Sequence, residues 1–387
     1  MLINIKRFYL PIEIKFGKGA ADEISGLIRS TDKVFVVTDS GIEKAGITGK
    51  IIEKIEKTGA VTATFNKVTP NPTSELAAEA LEELKKFSAT AVVAVGGGSP
   101  LDLGKIIAAL AANDGPLEDY QWNGKPFEND SLPFIAVPTT AGTGSEVTRV
   151  AVIVDRNVKK GVNSDKLFPK YAIIDPELMT GLPSALTAST GMDALTHAVE
   201  AYVGINSNPF TDSLALEAVR LIGKSLWKAC ACGTDMEARY DMALASTMAG
   251  IAMDQAGLGI VHSMSGPMCT YFHLSHGDSN AALLKYGMRF NLMTAPEKFS
   301  KIAESLGYSV TGMDVWEAAM TSVHAVSKLL KETGLKIDLQ AYGLKEADAD
   351  LIAEETLKMF LLKNNPRKPT LSECKQLYLD ILGGVLD

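Results

Sequence analysis

Up to about residue 183 the chain alternates two kinds of segment, and this alternation restricts the fold more than any other feature. Short apolar, β-branched runs occur at Val34-Phe35-Val36-Val37-Thr38-Asp39, Thr62-Ala63-Thr64-Phe65, Ala91-Val92-Val93-Ala94-Val95, Phe134-Ile135-Ala136-Val137 and Ala172-Ile173-Ile174-Asp175. Runs without polar alternation suit a parallel sheet buried on both faces. Between them, residues 73–86 have helical spacing, with acids early and lysines late to match the helix dipole. After Gly181-Leu182-Pro183 the composition turns to Ala, Leu, Met and Glu, as in residues 212–222, and an all-helical region is expected. The chain therefore divides into an α/β domain, 1–183, and an all-α domain, 184–387, in keeping with a length beyond one hydrophobic core. Gly257, Gly259, Gly266 and Pro267 are expected to break the helices of the second domain.

With 46% hydrophobic and 22% charged residues, the chain has the make-up of an ordinary globular protein. Its net charge of −8 argues against nucleic acid as a partner. The stretch Met1 to Pro11 lacks a secretion-signal pattern, and no apolar run approaches the roughly 18 residues of a membrane span. No membrane partner and a cytoplasmic location are the expectations. Cys230, Cys232, Cys269 and Cys374 are too sparse for a thiolate zinc site and read as reduced thiols.

Two loops of the first domain carry phosphate-binding chemistry. Val95-Gly96-Gly97-Gly98-Ser99-Pro100-Leu101-Asp102 joins a strand to a helix, with Ser99 expected as N-cap and Pro100 at the first helical position. Bare glycine amides and the helix dipole would hold a pyrophosphate there. Pro138-Thr139-Thr140-Ala141-Gly142-Thr143-Gly144-Ser145 also follows a strand, although it is not a six-residue dinucleotide fingerprint because Val147 stands at the third glycine position. Asp39 closes an early strand, where a carboxylate accepts bonds from ribose hydroxyls and repels a 2′-phosphate. Each of these taken singly is equally an ordinary turn.

In the second domain, four of the five histidines fall between residues 197 and 276. Asp193 and His197 are four apart, on one helical face. Three imidazoles and a carboxylate without cysteine suit Fe(II) or Zn(II) in an open site. Of His273 and His276, three apart, the ligand role is assigned to His276 because Gly277 and the preceding polar residues disfavour a helix through both. His273 is then a candidate proton-handling group or a structural residue.

Four motifs in order along the chain resemble the iron-containing (group III) alcohol dehydrogenases: Gly96-Gly97-Gly98-Ser99-Pro100-x-Asp102, residues 138–148, Gly191-Met192-Asp193-Ala194-Leu195-Thr196-His197-Ala198-Val199-Glu200-Ala201-Tyr202, and His276-Gly277-x-x-Asn280-Ala281. The resemblance implies an N-terminal dinucleotide-binding α/β domain with a parallel sheet and a C-terminal helical metal-binding domain, the dehydroquinate-synthase-like plan, with the active site in the cleft between them. It implies Asp193, His197, His262 and His276 as metal ligands. Asp39, Asn71, Gly97, Gly98, Ser99, Asp102, Thr139, Thr140, Thr143 and Lys160 would contact the cofactor, with NAD preferred over NADP because of Asp39. His273 and Asp102 stand as the candidate catalytic groups. The implied activity is NAD-linked, metal-dependent oxidation of a small primary alcohol or reduction of the aldehyde, with Fe(II) as the metal and Zn(II) as the alternative, in a homodimer or larger homo-oligomer.

Two positions depart from the family pattern. Many relatives carry a histidine four residues after the one matching His262, where this chain has Gly266, and a Leu-Leu-Pro run where it has Leu283-Leu284-Lys285. A smaller residue and a new cation suggest an aldehyde with a carboxylate or sulfonate tail, unless Lys285 is solvated surface. Two rival readings are a dehydroquinate-synthase-like lyase, whose phosphorylated substrate calls for a basic cluster absent from the metal region, and a non-catalytic nucleotide or metal sensor.

Overall fold

A computed structural model describes residues 6–156 and 158–386. The start of the N-terminal stretch read for a secretion signal lies outside the described residues. The described residues form two compact units, one within residues 10–181 and the other of residues 182–386 together with residues 6–9. The division falls at Gly181 rather than after Pro183, and residues 6–9 belong with the helical unit. Hydrogen bonds explain the latter: Tyr9 N–H donates to Gln255 Oε1 and Tyr9 O accepts from Gln255 Nε2.

The first unit contains strands β1 (Glu13–Phe16), β2 (Lys33–Asp39), β3 (Val61–Val68), β4 (Ala91–Gly96), β5 (Phe134–Pro138), β6 (Val150–Asp155), β7 (Val158–Asn163) and β8 (Tyr171–Ile174). Its helices are α1 (Ser40–Lys44), α2 (Ile47–Glu56), α3 (Ser74–Phe87), α4 (Gly98–Ala112) and α5 (Leu117–Gln121). Six strands make a parallel sheet in the order β1-β8-β5-β4-β2-β3. The five expected strands are all in it. Successive residues point to opposite faces, and both faces are apolar. Phe35, Val37, Val92, Ala94, Phe134 and Ala136 pack with Leu84, Leu103 and Ile107 on one side. On the other, Val34, Val36, Val93, Val95, Ile135 and Val137 pack with Ile24, Ile51 and Ile55. Each fully buried Val or Ile of such a strand contributes about 1.5–3 kcal/mol.

Two elements were not expected. The edge strand β1 is only four residues long, half-buried and charged at Glu13 and Lys15. The antiparallel hairpin β6–β7 lies apart from the main sheet.

The second unit, among its described residues, is helical throughout: α6 (Ser184–Val203), α7 (Pro209–Ala231), α8 (Met236–Ala256), α9 (Ile260–Phe272), α10 (His276–Asn291), α11 (Pro296–Ser305), α12 (Val315–Glu332), α13 (Ala349–Lys358) and α14 (Leu371–Leu382). From Thr187 onward α6 is buried at every residue except Thr190, which makes it the central helix. Between α8 and α9 the chain turns through 102°. Gly257, with φ 81°, sits in that turn. Gly266 and Pro267, by contrast, do not break the chain. Helix α9 runs through both, because Pro267 removes one internal hydrogen bond while its neighbours Met264 and Met268 are anchored in the core. No single helix among the described residues is long and apolar enough to cross a membrane.

Candidate active site

In a parallel sheet all strands end on the same edge, and a ligand crevice forms where the chain leaves in opposite directions from neighbouring strands. Here that point lies between β2 and β4, since β3 adds to one side of β2 and β4 to the other. Asp39 ends β2, Gly96 ends β4 and Pro138 ends β5, with Gly96 paired to Pro138. Asn71 follows β3 in a left-handed conformation, φ 55°. The sheet topology thus gathers the expected cofactor loops on one edge.

The glycine loop differs from expectation at its cap. Helix α4 starts at Gly98 with Gly97 as N-cap, so Ser99 and Pro100 sit inside the first turn. Glycine carries no side-chain acceptor, so no cap hydrogen bond is made there. The orphan amides of the first turn remain for an external acceptor. Space is reserved as well. A Cβ at Gly98 would stand 2.9 Å from Thr143 Cγ2, and one at Gly97 would stand 3.4 Å from Thr140 Cγ2. The second loop therefore lies directly against the first. Thr139 is fully buried, its N–H donates to Gly96 O at 2.9 Å, and its hydroxyl has no partner among the described residues. These features fit a dinucleotide pyrophosphate.

Asp39 Oδ1 caps α1 by accepting from Gly41 N–H (2.8 Å) and Ile42 N–H (3.0 Å), so Oδ2 takes no part in the cap. Lys160, on β7, stacks its ammonium 4.0 Å from the Trp122 ring centroid. Asp102 has both oxygens engaged: Oδ1 accepts from Ser145 Oγ (2.6 Å) and Oδ2 from Val152 N–H (2.9 Å). It ties α4 to the second loop and to the hairpin that carries Lys160. Burial pushes its carboxyl up in pKa, against the pull of Lys105 Nζ 4.0 Å away and of those two bonds. These two bonds make Asp102 a brace between the loops.

The helical unit brings Asp193, His197, His262 and His276 together, one ligand atom from each lying within 4.8 Å of all the others. Two helical turns of α6 supply Asp193 and His197, α9 supplies His262 and the start of α10 supplies His276. Close approach of α10 to α6 depends on Gly277, where a Cβ would stand 2.6 Å from Ser189 O. Asp193 Oδ1 lies 3.6 Å from His197 Nε2 and 3.7 Å from both His262 Nε2 and His276 Nε2. Nitrogen and oxygen ligands around one tetrahedral ion stand about 3.3–3.6 Å apart. The spacing fits such an ion.

Two further side chains complete the cluster. Glu200, one turn beyond His197, accepts from Val261 N–H (2.6 Å) and lies 2.6 Å from His262 Nδ1. A proton held on Nδ1 by this carboxylate leaves Nε2 as the lone-pair nitrogen facing the cluster. Asn280 Nδ2 donates to Asp193 Oδ1 at 2.6 Å, while its buried Oδ1 has no partner among the described residues. The surrounding imidazoles drive Asp193 well below the usual carboxylate range despite its burial. Burial opposes charge on His262 too, but Asp193 and Glu200 outweigh it and push its pKa up to about 9. A cluster that draws positive charge this strongly suits a divalent cation. Sequence reasoning missed Glu200 and Asn280 as site residues. Helical spacing pointed to the first, since positions 193, 197 and 200 share one face.

His273 is exposed and ends α9 with φ 56°, outside the converging ligand atoms. The expectation for Lys285 is corrected. Lys285 is nine residues past His276, half a rotation round α10 and therefore on its opposite face. It is neither solvated surface nor beside the metal ligands. It is buried, with Nζ 3.5 Å from Leu386 O, beside a cavity of about 450 Å³ also lined by Lys331, Asp338 and Gly383.

The comparisons agree with this geometry. A profile described as "Iron-containing alcohol dehydrogenase" matches residues 11–176, and "Fe-containing alcohol dehydrogenase family, C-terminal" matches residues 187–382. The NAD-dependent methanol dehydrogenase of Bacillus methanolicus is 38% identical over 97% of this chain and 99% of its own. The 1,3-propanediol dehydrogenase of Klebsiella pneumoniae is 41% identical over 89% of this chain and 90% of its own. A solved 1,3-propanediol oxidoreductase superposes with a TM-score of 0.94 at 38% identity, covering 98% of this chain and 100% of that one. With both profiles matched across the two units and an Asp-His-His-His cluster in place, the chain belongs to the iron-containing alcohol dehydrogenase family, the oxidoreductases that act on CH–OH groups.

Proposed function

We propose that this protein is an NAD-linked, metal-dependent dehydrogenase of small, neutral primary alcohols, working in reverse as an aldehyde reductase. The observation that carries the reading is the convergence of Asp193, His197, His262 and His276 in a chain that also has an uncapped glycine loop at its sheet's crevice. Methanol and 1,3-propanediol, the alcohols named for two relatives, are small and uncharged. The anionic-tail expectation rested on Gly266 and Lys285 together, and the position of Lys285 on the face of α10 opposite His276 favours the neutral substrate instead.

The ligand set has no thiolate and suits Fe(II), with Zn(II) as the alternative. When bound, the ion supplies Lewis acidity to the substrate oxygen and the dinucleotide carries the hydride. Asp193, His197, His262 and His276 hold the ion's position. Glu200 keeps the His262 proton on Nδ1. Around the dinucleotide, the α4 amides take the pyrophosphate charge and Asp39 Oδ2 accepts from the ribose. Burial of Asp193, His197 and His262 excludes water from three sides of the cluster, while His276 leaves the fourth open.

The test is to reconstitute metal-free protein anaerobically with Fe(II) or Zn(II) and follow nicotinamide absorbance on C1–C4 alcohols and aldehydes, neutral and acidic. Turnover of neutral alcohols with NAD supports the reading. Activity confined to acidic substrates, or full activity in Asp193→Ala, overturns it.

A further inference from the structure

The ligand cluster opens on one side only. His276 keeps 37% of its side chain exposed, against 3–4% for the other three ligands. On α9, His262, Gly266 and Cys269 are spaced four and three apart and share one helical face, and His273 follows at the helix's C-terminal end. Exposure rises along that stripe, from buried His262 through half-buried Gly266 and Cys269 to exposed His273. The stripe leads outward from a metal ligand to solvent. Gly266 leaves it without a side chain about 5–6 Å from His262.

That position is filled from elsewhere. A Cβ at Gly266 would stand 2.8 Å from Met359 Cε and 3.4 Å from Met359 Sδ. Met359 follows α13, and its N–H donates to Thr356 O at 3.1 Å, which fixes its backbone while the side chain reaches across α9. A methionine is unbranched and apolar, with three rotatable bonds, so it meets hydrocarbon well and offers nothing to a charge.

We infer that Met359 sets the carbon-chain length this enzyme accepts. Its methyl group closes the outward stripe beside Gly266, one helical turn from His262. Short linear alcohols fit inside the methyl, and longer ones meet it. The inference rests on the proposed alcohol oxidation and deepens it.

The experiment compares wild type with Met359→Ala and Met359→Leu, each metal-loaded, on linear primary alcohols from ethanol to octanol. It reads kcat/KM with NAD and, separately, alcohol binding by calorimetry without NAD. Thermal melts confirm that each variant is folded. In Met359→Ala the ratio of hexanol to ethanol kcat/KM rises by at least about tenfold, the scale for changing an apolar pocket by a methylene or more. Met359→Leu, similar in volume, keeps the wild-type cut-off. Adding Gly266→Ala shifts the cut-off in wild type, by pushing the methyl, and has no effect in the Met359→Ala background. A parallel change on every alcohol, or an unmoved cut-off, overturns the inference. If wild type oxidises no alcohol, the functional reading fails, and the calorimetric cut-off alone then decides the role of Met359.

Discussion

Glu200 Oε2 stands 2.6 Å from His262 Nδ1 while Glu200 Oε1 accepts the N–H of Val261, so one buried carboxylate fixes both the imidazole and the first turn of its helix. Outer partners of this kind set which ring nitrogen faces the metal, and their loss typically lowers affinity 10–100-fold. For Glu200→Ala we expect metal affinity to fall by about that factor, measured by chelator competition. Glu200→Gln retains an acceptor for Nδ1 and should lose less. Unchanged affinity with only a lower melting temperature would leave Glu200 a purely structural residue.

Asp39 caps α1 through Oδ1 alone, which allows the charge to be tested apart from the cap. Asp39→Asn keeps an Oδ1 acceptor for Gly41 and Ile42. It removes the repulsion toward a 2′-phosphate. The expected result is a shift of about tenfold or more in the NADP-to-NAD ratio of kcat/KM, with little change in melting temperature. An unmoved ratio argues that ribose recognition lies elsewhere.

Gly98→Ala would place a methyl 2.9 Å from Thr143 Cγ2 and separate the two loops. NADH affinity, read by fluorescence titration, should weaken by at least about tenfold, or roughly 1.4 kcal/mol. Metal content should be untouched, since the ligands belong to the other unit. Equal loss of both would mean that the substitution unfolds the chain.

Acid stability offers an independent check on the sheet. Asp32 is buried before β2, and burial pushes its pKa up. Bonds from Arg29 N–H (2.8 Å), the Arg29 guanidinium (3.0 Å) and Thr90 Oγ1 (3.2 Å) outweigh burial and hold it below the usual carboxylate value. A depressed folded pKa stabilises above the unfolded value, near 4, and that contribution is lost as pH falls through the folded pKa. Wild type should therefore exceed Asp32→Asn in denaturant midpoint at neutral pH, with the gap closing below about pH 4. A gap independent of pH would refute the assignment.

The strands legible in the sequence are those whose burial is two-sided. β4 is buried at every residue and reads as an uninterrupted apolar run. β1 and β7, charged and partly exposed, carry no such signature. At the glycine loop, sequence preference chose Ser99 as cap, but glycine can enter the helix early and shift its start to Gly98. The four converging side chains were legible because imidazoles are scarce in this chain and the spacing of Asp193 and His197 is helical. Glu200 and Asn280 were harder to find, since a buried carboxylate or amide reveals its partner only in three dimensions. Lys285 stood out as a departure from the family's Leu-Leu-Pro run, but a departure in sequence does not say which way a side chain faces, and helical geometry sends this one to the side opposite His276.

The metal cluster also has an order of assembly written into it. Asp193 and His197 leave the ribosome together on α6, more than sixty residues before His262, and His276 follows last. A nascent chain that ends before α9 offers an ion two donors on one helix, a weak and unselective grip. Tight binding waits until α10 seats Gly277 against Ser189. A site with all four donors therefore requires the contact between α6 and α10 to be in place.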